Sequence, residues 1–307
     1  MSKKNKETQK LIEQIKLRDR VVRVMSEDGK FRFACIKNTN SAKTAQQKHK
    51  LPYQAAFLLS RSLAAASMMS SFLKGEERIT IEIEGDGPVS YVYAEALQVG
   101  ELRGFVNYNS GLSGMKLSSI SELLGDGLLR VIRITYDNKE PLSSVIELQK
   151  GDVATDIAYY FAQSEQVPSA VILDVDFDDN GIVKQSGGIL LQAMPGATQK
   201  DIEKVYESIS SIKSLVEYYE QGLTPDKVLK EVLPFDFNLI GSTPVDFFCR
   251  CSKENFIEKL LTLEPKEIEE MQESGQNELI CRYCNNKYYL DDNDFSRLIE
   301  ETKAKKN

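Results

Sequence analysis

The stretch Arg78-Ile79-Thr80-Ile81-Glu82-Ile83-Glu84-Gly85-Asp86-Gly87-Pro88-Val89-Ser90-Tyr91-Val92-Tyr93-Ala94 decides the fold class. Ile79, Ile81 and Ile83 alternate with Thr80, Glu82 and Glu84, the period-two signature of a half-buried strand. Gly85-Asp86-Gly87-Pro88 reads as a turn, and Val89 to Ala94 as the return strand. Just upstream, Tyr53 to Leu73 is a run of Ala, Leu, Met and Phe with Pro52 at its start and Gly75 past its end, the punctuation of a helix. It carries Gln54, Arg61 and five Ser, too polar for a lipid-facing span of about 20 residues, so it is read as a buried helix with no membrane partner.

Working outward, Val21 to Val24 and Phe31 to Ile36 read as strands joined by a turn at Glu27-Asp28-Gly29. Leu102 to Asn107, Leu129 to Tyr136, Leu142 to Leu148, Ala170 to Phe177 and Gly188 to Met194 read as further strands. Asp152 can cap a helix carrying Ile157, Tyr160, Phe161 and Ser164. Many strands with two embedded helices predict a β-rich α+β domain over 21–196. The pattern then changes. Ile202, Val205, Tyr206, Ile209, Ile212, Leu215, Val216 and Tyr219 form the stripe of one amphipathic helix ended by Gly222. Thr224-Pro225 opens a second, short helix through Val228, Leu229 and Val232. The segment 197–243 is therefore expected to be a helical linker to a small cysteine-bearing domain over 244–300. A helix this short is not stable alone, so its stripe must lie on an apolar partner.

The 307 residues include 39 Lys and Arg against 46 Asp and Glu, with one His and no Trp. An acidic chain with pI near 5.1 counts against binding nucleic acid. Residues 1–20 hold seven basic and three acidic side chains and no apolar stretch, which reads as a solvated tail, helical over Leu11 to Leu17, and not as an export signal. Cytoplasm is the expected compartment, since five Cys are too few for a disulfide scaffold.

Four of those cysteines form two close pairs, Cys249-Arg250-Cys251 and Cys281-Arg282-Tyr283-Cys284. Two pairs separated by a fold can place four sulfurs around one tetrahedral ion. No His lies nearby, so the site is all thiolate, which favours one Zn²⁺ per chain over iron. Arg250 and Arg282 sit beside the ligands and offset their charge. One residue between the first pair departs from ordinary zinc ribbons, and thiols this close can also be oxidised. A zinc staple without regulatory role and an oxidisable site both remain open on spacing alone. Ser252 caps one helix between the pairs, Pro265 starts another, and Asn285-Asn286 turns a hairpin around the second pair.

Other candidates carry less. Asp174, Asp176 and Asp178 alternate as in a calcium loop, but Asp179 and Gln185 stand where Gly and Glu are needed. Cys35 shares a strand face with Phe31 and Phe33 and reads as packing. His49 stands among lysines without a catalytic setting. No phosphate-cradling glycine loop is present, and no enzyme activity is expected. Two other functions fit a cysteine tail. A zinc-ribbon nucleic-acid binder conflicts with seven basic and twelve acidic side chains over 244–297. A thiol oxidoreductase could use Cys281 and Cys284, but they do not follow a strand of a βαβ unit.

The cysteine cluster with Phe247 and Tyr288 around it, the stretch Gly151-Asp152-Val153-Ala154-Thr155-Asp156-Ile157-Ala158-Tyr159-Tyr160-Phe161-Ala162-Gln163-Ser164-Glu165-Gln166-Val167-Pro168-Ser169-Ala170, and Leu73-Lys74-Gly75-Glu76-Glu77-Arg78 running into Gly85-Asp86-Gly87-Pro88 together resemble the thirty-three-kilodalton chaperonin family. The resemblance covers about Val21 to Leu290. It departs over Tyr108 to Asp137, where Asn107-Tyr108-Asn109-Ser110-Gly111 and a strand with Arg130 and Arg133 replace a glycine-rich run. The resemblance implies an ATP-independent, redox-regulated holdase. Reduced, it would hold zinc on Cys249, Cys251, Cys281 and Cys284 and be inactive. Oxidised, it would pair Cys249 with Cys251 and Cys281 with Cys284, release zinc, unfold its tail and bind unfolding client proteins, usually as a homodimer. The linker residues Ile202, Val205, Ile209, Ile212, Leu215 and Val216 are the candidate client-binding surface.

Overall fold

In the computed structural model, which describes residues 18–115, 119–138 and 140–304, the chain divides into two compact units, the first ending at Phe248 and the second starting at Cys249. The expected tail helix over Leu11 to Leu17 lies outside the described residues. The first unit opens with β1 (Arg20–Ser26) and β2 (Phe31–Lys37), joined by a turn in which Gly29 takes a left-handed φ of 72°. Helices α1 (Thr39–His49) and α2 (Tyr53–Ser70) follow. Then come β3 (Arg78–Gly85), β4 (Val89–Leu97), β5 (Glu101–Tyr108), the short α3 (Ser121–Leu124), β6 (Gly127–Ile134) and β7 (Leu142–Glu147). Helix α4 (Val153–Tyr160) leads into β8 (Ser169–Phe177) and β9 (Val183–Ala193). Helices α5 (Gln199–Ser210), α6 (Val216–Glu220) and α7 (Pro225–Val232) precede β10 (Phe237–Pro244) and the two-residue β11 (Asp246–Phe247).

The class is α+β, as expected. One sheet has the order β10-β1-β2-β9-β8 and is antiparallel throughout. The other has the order β11-β5-β4-β3-β6-β7, with only the β11–β5 pair parallel. Helix α2 touches strands of both sheets, and every residue from Gln54 to Ser70 except Phe57 is buried. Its apolar run is thus core, and no helix among the described residues is long and apolar enough to cross a membrane.

The five-stranded sheet is apolar on both faces. Adjacent glycines in β9 mark the two sides. A Cβ at Gly187 would meet the Tyr219 ring 2.4 Å away, and one at Gly188 would meet Met68 of α2 at 2.9 Å. Successive residues of a strand face opposite ways, so α2 covers one face and the α5–α7 segment the other.

Three elements differ from expectation. The single amphipathic helix from Ile202 to Tyr219 is two helices, α5 and α6, because serines at 210, 211 and 214 favour turns and because Asp174 of β8 caps α6 from outside. Its carboxylate accepts from Leu215 N at 2.8 Å, Val216 N at 3.2 Å and Ser214 Oγ at 3.1 Å. Helix α1 has few apolar residues and so no stripe to announce it; its start is held by Asp19, whose carboxylate accepts from Ser41 N at 2.7 Å. Strand β10 stands where the end of a helical linker is expected. Thr224 stands at the N-cap of α7 but makes no capping bond with its side chain. The Asp174–Asp178 stretch is strand and turn, with Asp178 accepting from Asn180 N and Ile182 N.

In the second unit, α8 (Lys253–Leu260) is capped by Ser252, α9 (Pro265–Glu273) starts at Pro265, and β12 (Glu278–Ile280) pairs with β13 (Lys287–Tyr289). Helix α10 (Asp292–Ala304) closes it. Ile257, Ile268, Leu290, Phe295 and Leu298 form its buried core.

An ion pair between a buried arginine and a half-buried aspartate fastens α2 to α4. Arg61 Nη1 lies 2.7 Å from Asp152 Oδ1, and the other oxygen of Asp152 accepts from Thr155 N at 3.1 Å, capping α4. Removing one partner of such a pair strands a buried charge. We expect Asp152→Ala to lower stability by about 3–5 kcal/mol and Asp152→Asn, which keeps the capping oxygen, to cost less. Urea unfolding of the reduced protein followed by circular dichroism, suited to a chain without Trp, checks this; an unchanged midpoint for Asp152→Ala contradicts it.

Candidate metal centre

The two cysteine pairs enter the site from different backbone settings. Cys249 and Cys251 lie in the extended segment just before α8, held there by Ser252 at the helix N-cap. Cys281 and Cys284 lie in the tight loop between β12 and β13. That loop is closed by Asn285 N donating to Cys281 O at 2.7 Å and Cys281 N donating to Asn286 O at 2.8 Å, with Asn285 at a left-handed φ of 57°. Asn adopts this conformation more readily than most residues, which explains the Asn285-Asn286 turn expected from the sequence.

All four Sγ atoms lie within 4.8 Å of one another. Cys249 Sγ is 3.7 Å from Cys281 Sγ, and Cys251 Sγ is 3.4 Å from Cys284 Sγ, so each pair faces the other. Four sulfurs at about 2.3 Å from a central ion stand about 3.8 Å apart along a tetrahedron edge. The cluster therefore has the dimensions of a four-thiolate metal site, and the four cysteines can hold a metal ion. They are free thiols, two buried and two half-buried.

Electrostatics make the case from the other side. Burial first, and then the neighbouring sulfurs, push the Cys249 and Cys284 thiols up. Burial also acts against Cys251, but hydrogen bonds from Tyr288 and from the other thiols outweigh it and bring that thiol below its ordinary value. Tyr288 Oη is 3.2 Å from Cys251 Sγ and donates to Cys251 O at 2.8 Å. Four adjacent thiolates without a cation would repel one another strongly, so a bound cation is what lets them ionise together. Arg250 and Arg282 are exposed beside the cluster. The contact from Tyr288 was not legible from spacing; only its place in the hairpin could have suggested it. Lys253 of α8 pairs with Asp294 of α10, tying the cysteine-bearing segment to the last helix.

The other candidate residues lie in the first unit. Val205, Ile209 and Leu215 join a core with Val22, Val24, Phe31, Phe33, Cys35, Ile189 and Leu191 of the sheet; Ile202 and Ile212 pack at its margin, and Val216 is buried. The stripe therefore has the sheet partner its pattern demanded. Cys35 lies in that core, its Sγ 3.4 Å from Tyr219 Oη, and burial pushes its thiol up to about 12, so it is unreactive packing. His49 stacks edge-on against Phe247 at 6.3 Å.

The model of the family described as Hsp33 protein matches residues 19–291. The 33 kDa chaperonin of Bacillus subtilis (strain 168) is 32% identical over 289 residues, covering 92% of this chain and 99% of that protein. The 33 kDa chaperonin of Geobacillus sp. (strain WCH70) is 30% identical over 293 residues, covering 94% and 99%. The crystal structure of the 33 kDa chaperonin (heat shock protein 33 homolog) from Thermotoga maritima superposes with a TM-score of 0.83 at 29% identity, covering 92% of this chain and 98% of that one. With a family model spanning both compact units and relatives matched over nearly their whole length, the chain belongs to the Hsp33 family of chaperones.

Proposed function

We propose that this chaperone is a redox-regulated, ATP-independent holdase of the cytoplasm, switched by the cluster Cys249, Cys251, Cys281 and Cys284. The observation that carries the reading is the placement of four oxidisable sulfurs at tetrahedral spacing in a unit with few other means of holding itself together. At about 60 residues a hydrophobic core alone is marginal. A structural zinc ion supplies about 10–16 kcal/mol of apparent binding free energy, as much as the whole stability of an ordinary domain, about 5–15 kcal/mol. An all-sulfur donor set favours Zn²⁺ among abundant divalent ions.

Zinc, when bound, supplies charge neutralisation and a four-way crosslink. The residues do the rest. Thiolates are the form that oxidants attack. Pairing Cys249 with Cys251 and Cys281 with Cys284 passes two electrons per disulfide to one equivalent of peroxide, which leaves as water. The paired sulfurs no longer donate to the ion. Each disulfide closes a loop of only a few residues, so neither replaces the long-range tie between the pairs, and each constrains the unfolded chain little. The tail then loses its fold. Only Phe248 separates Cys249 from β11, the shortest strand of the first unit, so the loss propagates along the chain toward β10 and α5–α7. Loosening those helices uncovers Val22, Val24, Phe31 and Phe33 together with the linker stripe, an apolar surface suited to unfolding clients. The active form is a homodimer in this reading.

The reduced protein is expected to contain about one equivalent of zinc. Peroxide with mild heat should release it, consume four thiols and switch on suppression of client aggregation in the same preparation. Cys35→Ser should keep both the metal and the switch. Reduced protein without zinc and with four reactive tail thiols contradicts the assignment.

The linker stripe gives a second test. The double substitution Ile209→Ser and Ile212→Ser removes apolar contacts between α5 and the sheet and should destabilise that packing by about 2–5 kcal/mol. The reduced double variant should then suppress aggregation without oxidant and lose protease resistance between 197 and 243. Unchanged inactivity with unchanged resistance counts against this surface.

A further inference from the structure

A cavity of about 210 Å³ in the first unit, remote in sequence from the cysteines, has the makings of an anion site. Its walls come from both sheets. Arg32 of β2 and Leu190 and Gln192 of β9 form one side, Arg133 of β6 another, and Met69 at the end of α2 and Phe161 after α4 close it. Arg133 belongs to the stretch that departs from the family pattern, and nothing in the switch uses it.

Three features converge there. First, two guanidinium groups and a single carboxylate, Glu165, line the cavity, while Glu77 outside the lining lies within electrostatic reach of both Arg133 and Lys74. Arg133 Nη2 donates to Glu165 Oε1 at 2.9 Å, and the same oxygen accepts from Tyr160 Oη at 2.5 Å. The charged residues of the lining therefore sum to one positive unit. Second, donors are left over. Arg32 donates to Gln192 Oε1 at 2.8 Å through Nε, which leaves its Nη groups for a ligand, whereas the unpartnered Arg133 Nε is fully buried and out of a ligand's reach. Arg32 lies over the Phe72 ring, its Cζ 4.4 Å from the centroid, which steadies the guanidinium. Burial and the facing Arg133 hold the Arg32 pKa below its ordinary value, the cost of like charges brought together. Third, the backbone is unusual at this point. Residues Phe161–Glu165 form a π-helical turn ending at Gln166, a non-glycine residue at a φ of 56°. Such turns concentrate at functional sites and carry an energetic cost that a packing role alone does not require.

We propose that this cavity binds a small organic carboxylate, its anionic end between Arg32 and Arg133 and its apolar body against Met69, Phe161 and Leu190. The size sets the upper limit: the space equals about seven waters, below the usual range for drug-sized ligands of about 300–1,000 Å³. The charge sets the class. A monoanion neutralises the single excess positive unit, whereas a phosphate dianion would overshoot it. The paired planar forks favour carboxylate recognition, and the apolar walls favour a ligand with a flat hydrocarbon portion. A ligand seated there bridges β2, β6 and α2, so it binds the folded state and raises its stability.

Isothermal titration of the reduced full-length chain with benzoate, at fixed ionic strength, tests this against inorganic phosphate and chloride. Benzoate should bind saturably at one site and raise the melting temperature, while chloride does neither and phosphate binds at least about tenfold more weakly. Arg32→Gln and Arg133→Gln should each weaken benzoate by at least about tenfold. Glu165→Gln removes the competing carboxylate and should tighten binding severalfold; it decides the matter if an arginine variant does not fold. Absence of saturable benzoate binding, equal affinity in the arginine variants, phosphate binding as tightly as benzoate, or a Glu165→Gln variant that binds no more tightly would each overturn the proposal.

Discussion

A sheet that is apolar on both faces must be covered twice, and that constraint orders the first unit. On one face α2 is so thoroughly enclosed that even its Arg61 is buried and needs Asp152. On the other face the cover is three short helices, α5–α7, none long enough to be stable without the sheet beneath it. The two covers differ in kind. Helix α2 is held between two sheets, whereas α5–α7 cover one face from outside and owe their shape to local devices such as the Asp174 cap on α6.

The cysteine cluster supplies a second constraint of a different sort. Four thiols packed at 3.4–3.7 Å across the pairs gain only weak hydrogen bonds from each other as neutral groups and repel as anions. Their arrangement makes sense as a cage for a cation, set in the same unit as the small core around Ile257, Ile268 and Leu298. The same atoms are the most easily oxidised in the chain, since Cys35 is buried with its thiol pushed up. In the proposed function, stability and redox chemistry share these four sulfurs, so one oxidising event acts on both.

Much of this was legible in the sequence where a pattern is local. The alternation of Ile79, Ile81 and Ile83 gave β3, and the stripe from Ile202 to Val216 gave a face that needed a sheet. The cysteine spacing gave the cluster because each pair is contiguous. What escaped was set by partners distant along the chain. The break between α5 and α6 depends on a carboxylate some forty residues away, and the start of α1 on Asp19. Strand β10 carries Gly241 and Pro244, residues that read as a loop, and becomes a strand through its pairing with β1. The hydroxyl of Tyr288 at Cys251 is a tertiary contact that spacing does not encode.

The central claim is that oxidation acts by unfolding the tail and loosening the cover of the five-stranded sheet. Hydrogen exchange of peptides across Ala197 to Leu290, before and after peroxide with mild heat, measures this directly. The account predicts that the oxidised protein loses protection across 249–290 and gains exchange over α5–α7, while β3, β4 and α2 stay protected. Released zinc and suppressed aggregation with the 197–290 peptides still protected would contradict it.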